Sequence, residues 1–425
     1  MSTSELRLFS RREFMRSSIG VVAVTATIPS FLDRTAMLLA GPATAPVASA
    51  LRDGRILVVV QLSGGNDGLN TVIPYPQDGY HKARRTLAVA ADKVLRIDDQ
   101  IGLHPNLAPL KNLYDSGKLA IVQGVGYPNP DRSHFRSMEI WHSAEPENFV
   151  STGWIGRMFD HTCGNQHLKE APSPTLGVSI GEVLEPALRG NLGIGVALRD
   201  PEAFYSMTQL ATQVEVETGT KPQKVGPAAA LDFLRRTALN AELSADRIRR
   251  SVRGVQSKSP YPQEPFAQGL KLVAGMIAGG MNTQVYYVSL GGFDTHANQK
   301  GPHERLLKAL ADGIGAFQTD IEALGQADRV VGFTFSEFGR RVAENGSGGT
   351  DHGQAAPMFI FGAPVKGGVI GGHPSLEKLN GGDLMFHADF RQVYATVLDQ
   401  WLRTESDAIL GGKFDGLPFL KTARA

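Results

Sequence analysis

Cysteine is almost absent. The 425-residue chain has one, Cys163, which excludes an intramolecular disulfide framework and any zinc site built on thiolates. Its surroundings, DHTCGNQH, offer no activating pattern for a nucleophile, so Cys163 reads as packing. An excess of charge of one sign is also missing. Forty-three Lys and Arg stand against 42 Asp and Glu, a formal net charge of +1, and nothing in that balance draws the chain to nucleic acid. The apolar N-terminal stretch IGVVAVTATIPSFL is too short to span a membrane and is interrupted by Pro29. Glycine, by contrast, is plentiful at 48 residues, and it gathers where strand-like runs end.

Ahead of that apolar stretch, SRREFMRSS (Ser10 to Ser18) sets Arg11 and Arg12 side by side before Phe14 and Met15. Small residues follow, with ATA and ASA (Ala48 to Ala50) both shaped like a signal-peptidase site. The pattern resembles a bacterial twin-arginine export signal over residues 1–50, cleaved near Ala50. It implies a partner, the twin-arginine translocase, which carries proteins already folded. The mature chain would begin near Leu51 and work in the periplasm or outside the cell.

Beyond the signal, short apolar runs alternate with helical patterns. That alternation predicts an α/β domain over residues 51–425, a largely parallel sheet sandwiched by helices. The predicted strands are Ile56–Leu62, Lys118–Gln123, Thr175–Ile180, Gln284–Leu290, Arg329–Phe335 and Met358–Gly362. Continuous apolar runs of this length are expected where both faces of a sheet are covered. Among the helices, DFRQVYATVLDQWL places Phe390, Val393, Tyr394, Val397, Leu398, Trp401 and Leu402 on one face, a packing pattern. Residues around 200–263 turn polar, then helical, and end in SPYPQEP, which reads as an insertion on the same domain.

Chemistry-bearing side chains collect at the strand ends. QLSGGNDG ends in Asp67, GGFDTHANQ carries Asp294 and His296, FSEFGRR carries Glu337, and TDHG sets Asp351 and His352 just before a strand. Ligands in open α/β sheets bind beyond the carboxyl ends of the strands. Carboxylate oxygens with imidazole nitrogens suit zinc, manganese or another first-row divalent ion. Each residue also has a plain structural reading. Asp67 could bond its own turn, Asp294 could cap a helix, and Glu337 could pair with Arg340 or Arg341.

A nucleophile is offered by GVGYPNPDRSHFRSMEIWHSA, where Pro128, Asn129 and Pro130 lead to Ser133 at the start of a helical pattern. The positive end of a helix stabilises an anion formed there. Arg132 and Arg136 flank the serine and could hold an anionic substrate. The commonest role of such a serine is an N-cap, and that reading stands beside the catalytic one. His134 and His142 are open between ligand and surface residue.

These pieces together resemble the alkaline phosphatase/sulfatase/cofactor-independent phosphoglycerate mutase superfamily. More closely, the chain after Leu51 is similar to the twin-arginine-exported family called domain of unknown function 1501. The resemblance is carried by QLSGGNDGLNTV, HPNLAPLKNLYDSGKLAIVQGVGYPNPDRSHF, GGFDTHANQ, FSEFGRR, TDHGQAAPMFIFG and DFRQVYATVL. It implies a metal aspartate at Asp67, a nucleophile at Ser133, and metal ligands at Asp294, His296 and His352. The superfamily's Asp-His pair falls on Ser336 and Glu337, so one imidazole ligand is missing there, and Asp351 is a substitute. The aspartate-to-histidine spacing in FDTH is also shorter than usual. What the resemblance implies is an exported hydrolase with one or two divalent ions, zinc or manganese, acting on a small anionic ester of phosphate, phosphonate or sulfate. The alternative is a catalytically idle metal-binding envelope scaffold for another exported protein.

Overall fold

The computed structural model describes residues 54–164, 173–192, 195–208 and 244–422. The export signal expected over residues 1–50 lies outside the described residues, as does most of the insertion expected around 200–263.

All six predicted strands form, with ends shifted by no more than three residues. In chain order, and with three short additions, the main sheet consists of β1 (Ile56–Ser63), β2 (Leu119–Gly126), β3 (Gly177–Ile180), β4 (Val196–Leu198), β5 (Val285–Gly291), β6 (Val330–Ser336), β7 (Ala356–Phe361), β8 (Gly368–Ile370) and β9 (Ala388–Asp389). Their spatial order is β8-β2-β7-β6-β1-β5-β3-β4, with β9 also pairing with β2. β1 pairs in parallel with both β5 and β6. β7 is antiparallel to β2 and to β6. All the other pairings in the sheet are parallel. β7 alone is therefore reversed, and its amino end lies at the edge where β1, β2, β5 and β6 have their carboxyl ends.

The continuous apolar runs have the cause expected of them. Along β1, Ile56, Val58, Val60 and Leu62 enter one core, while Leu57 and Val59 enter the other. The first core is closed by α1 (Ala108–Asp115), α4 (Pro265–Ala278) and α5 (Lys300–Ala323), the second by α2 (His134–Ser143), α3 (Trp154–Gly164) and α6 (Phe390–Thr396). Each large apolar side chain buried this way contributes about 1.5–3 kcal/mol. The C-terminal pattern packs as predicted. Asp389 and Gln392 form a capping box on α6, the chain runs on into a π-turn at Val397–Trp401, and all seven apolar residues of the face are buried. Cys163 is buried, and that burial pushes its thiol up to about 11, away from reactivity.

Candidate metal centre

Four side chains from three segments meet at the shared edge of the sheet. β2 leads through Pro128-Asn129-Pro130 to His134, the first residue of α2. The loop after β5 supplies Asp294 and His296. The loop before the reversed strand β7 supplies His352. A ligand atom from each of His134, Asp294 and His352 lies within 4.8 Å of the other two. His134 Nε2 is 3.4 Å from Asp294 Oδ2, and His352 Nε2 is 3.2 Å from Asp294 Oδ1. His296 joins the edge of this group, its Nε2 3.1 Å from Asp294 Oδ1 and 2.8 Å from His352 Nε2.

The opposite nitrogen of each ring is tied down. His134 Nδ1 donates to Glu337 Oε1 at 2.9 Å, and the same oxygen accepts the Gly64 N–H at 2.7 Å. His352 Nδ1 donates to the Arg132 carbonyl at 2.8 Å. His296 Nδ1 lies 3.2 Å from Asp351 Oδ1. A hydrogen bond from the side chain of Asn345 is the main reason that the Asp351 carboxyl sits below its ordinary range. Each acceptor fixes the ring proton on Nδ1 and turns the Nε2 lone pair toward Asp294. Burial also lowers His352, which disfavours its protonation. Lone pairs facing a carboxylate repel unless a cation lies between them. Protonating all three rings instead would gather three positive charges, with Arg340, around one carboxylate.

Arg340 holds the frame of this cluster. It is buried, and it donates to the carbonyls of Gly64, Gly65 (2.7 Å), Phe293 (2.9 Å) and Thr350 (2.8 Å) and to Asp294 Oδ1 (2.8 Å). One guanidinium thus links the loops after β1 and β5 to the loop before β7. Burial works against the Asp294 charge, but the hydrogen bond and the charge of Arg340 outweigh it and hold the carboxyl below its ordinary range. Asp294 is therefore anionic at any working pH.

Several sequence expectations need correcting. Asp67 is not turned to the cluster. It is fully buried, and Arg84 grips both of its oxygens, at 2.5 and 2.9 Å, while Gln299 donates to one of them. Burial raises its carboxyl, but the Arg84 charge and hydrogen bonds prevail and hold it below the ordinary range. Both lone-pair faces that a metal would use are taken by an internal cation. Glu337 and Asp351 orient histidines and are not grouped with the ligand atoms. Glu337 is not paired with Arg340 or Arg341 either, since Arg340 pairs with Asp294, and Arg341 with Asp383. Arg136 is spent on structure. It donates to the Pro146 and Asn148 carbonyls and stacks on Phe149 with its guanidinium carbon 4.0 Å from the ring centre. His142 is buried against Gln61 and Tyr287, and burial lowers it to about 3.

Ser133 is the N-cap residue of α2, yet its hydroxyl makes no capping bond and is exposed. Its own N–H is bound to Asp131 Oδ1 at 2.6 Å. Arg132 is half exposed and pairs with the buried Asp383. Sequence reasoning left His134 open, named Arg340 only as a partner for Glu337, and did not single out Arg84. The local signal for His134 was its place directly after the predicted nucleophile in the Pro-Asn-Pro segment.

A family model described as "Protein of unknown function (DUF1501)" matches residues 55–400. No curated protein matches the chain. Among solved structures, a protein in the alkaline phosphatase superfamily from Vibrio parahaemolyticus is 10% identical, with 90% of this chain and 77% of that chain covered at a TM-score of 0.41. The lipoteichoic acid synthase LtaP from Listeria monocytogenes is 10% identical, with 92% and 80% covered at 0.35. The PsFucS1 sulfatase from Pseudoalteromonas sp. is 11% identical, with 91% and 74% covered at 0.37. Likeness at these scores carries no argument about activity.

Proposed function

The chain belongs to the DUF1501 family, whose description carries no activity, and from its own side chains we propose an exported metal-dependent hydrolase of a phosphate, phosphonate or sulfate ester. One observation supports the reading above the rest: three imidazoles with Nδ1 tied off point their Nε2 atoms at a single anionic carboxylate. Three nitrogens and an oxygen suit zinc, with manganese the second choice. His134, Asp294, His296 and His352 would hold one ion, because Asp67, the residue a second ion would need, is already neutralised by Arg84. When bound, such an ion supplies Lewis acidity toward an ester oxygen.

The remaining roles fall to the protein. Ser133 presents a free hydroxyl at the positive end of α2, next in sequence to His134. Its oxygen would attack phosphorus or sulfur and expel the alcohol, leaving an ester on the serine that water then cleaves. Arg132, anchored on Asp383, leaves about half of its side chain exposed and would meet the anionic group.

A panel of aryl phosphate, phosphodiester and aryl sulfate substrates with added zinc or manganese tests this. Turnover of at least one is expected, with loss in Ser133→Ala at unchanged ion content. Most activity surviving in Ser133→Ala would replace serine attack with direct attack by water. No turnover across the panel would leave the scaffold reading.

A further inference from the structure

A cavity of about 300 Å³, lined by none of His134, Asp294, His296 and His352, opens at the amino end of α5. Two buried histidines line it, His104 and His303, with ring centres 6.4 Å apart and planes nearly perpendicular. Each has one nitrogen committed. His104 Nδ1 accepts the Asn106 N–H at 3.1 Å, so the proton of that ring must sit on Nε2. His303 Nε2 lies 3.0 Å from Asn66 Oδ1, and an amide oxygen only accepts, so the proton of that ring sits on Nε2 and Nδ1 is an acceptor. Among the described residues, neither His104 Nε2 nor His303 Nδ1 has a protein partner. Burial pushes both rings down to about 4, so both are neutral near pH 7. The two histidines therefore offer one donor and one acceptor, the complement of a hydroxyl group.

The rim has a different character. Lys93 and Lys300 line it against the single carboxylate of Glu304, a net charge of +1. Lys300 and His303 are three residues apart on α5, one turn and about 5–6 Å between Cβ atoms. The amino end of this 24-residue helix adds its own positive field. An anion at the rim and a hydroxyl at the two histidines can thus belong to one small molecule.

We propose that this cavity binds a small polyhydroxylated monoanion, its acid group at Lys93 and Lys300 and a hydroxyl between His104 Nε2 and His303 Nδ1. The proposal does not rest on the hydrolase reading.

Isothermal titration of the full chain with D-gluconate tests it, with sorbitol (no anion) and hexanoate (no hydroxyls) as matched six-carbon controls. Gluconate is expected to bind one-to-one, and each control to bind at least about tenfold more weakly, the value of one lost polar interaction. Lys300→Gln, at an exposed position, and His104→Phe should each weaken gluconate by about tenfold or more. No saturable gluconate binding overturns the proposal, as does equal binding of either control. Gluconate affinity unaltered in Lys300→Gln but lost with the bound ion would put the ligand at the metal centre and also overturn it.

Discussion

The proton on His134 Nδ1 decides what His134 can do. Glu337 holds that proton, so Nε2 is free to ligate. Glu337→Gln keeps the shape but removes the charge that makes the ring basic. It should weaken the ion by about 10–100-fold, as outer-shell changes at metal sites do, read by competition titration with a chelator. Asp67→Asn should act differently. It leaves the buried Arg84 without its partner, which costs about 3–5 kcal/mol of stability, read from the urea midpoint, while the bound ion stays. The sequence showed Asp67 as a carboxylate after a strand, and at that level a metal ligand and an ion-pair partner look alike. What separates them is Arg84, seventeen residues away on no recognisable motif. Asp294, His296 and His352 were legible because each stands beside an apolar strand run. His134 was visible, but only the fold shows where its ring points.

At the scale of elements, the loops after β1 and β5 are fastened together. Gly64 adopts φ +120°, and a Cβ there would come 2.3 Å from the Asp294 backbone nitrogen. Gly64→Ala should therefore both destabilise the fold, by about 1–3 kcal/mol, and loosen the ion, because the loop carrying Asp294 must move. Gly117 is the control. It also has positive φ, at +70°, but a Cβ there meets nothing within 4 Å. Gly117→Ala should cost about 1–2 kcal/mol from backbone strain alone and leave ion affinity unchanged. Thermal melts with and without chelator compare the two. The strands themselves were readable because burial on both faces writes an unbroken apolar run. Their spatial order was not readable, since order depends on which crossovers pack. The reversal of β7, which delivers His352 from a strand's beginning, leaves no trace in periodicity.

For the whole molecule, acid should be the weakness. Burial lowers His104, His303 and His373 to about 4 and His142 to about 3. In the unfolded chain each titrates near 6.5, so above that pH their contribution to stability is complete. As pH falls below about 6.5 the unfolded state takes up protons that the folded state refuses. Stability then drops by up to about 1.4 kcal/mol per pH unit for each histidine, until the folded values are reached. Urea midpoints of chelated protein between pH 7.5 and 4.5 should show that decline, and a flat profile would contradict it. The proposed export rests on the paired arginines: replacing Arg11 and Arg12 with Lys should leave folded, uncleaved protein in the cytoplasm, read by fractionation.

The central claim is that His134, Asp294, His296 and His352 hold one divalent ion while Asp67 holds none. Ion content per chain, measured by elemental analysis after zinc loading and desalting, tests it most directly in three proteins side by side. The account predicts one ion in the wild type, one in Asp67→Asn, and a large loss in His134→Ala. Retention in His134→Ala with loss in Asp67→Asn would contradict it.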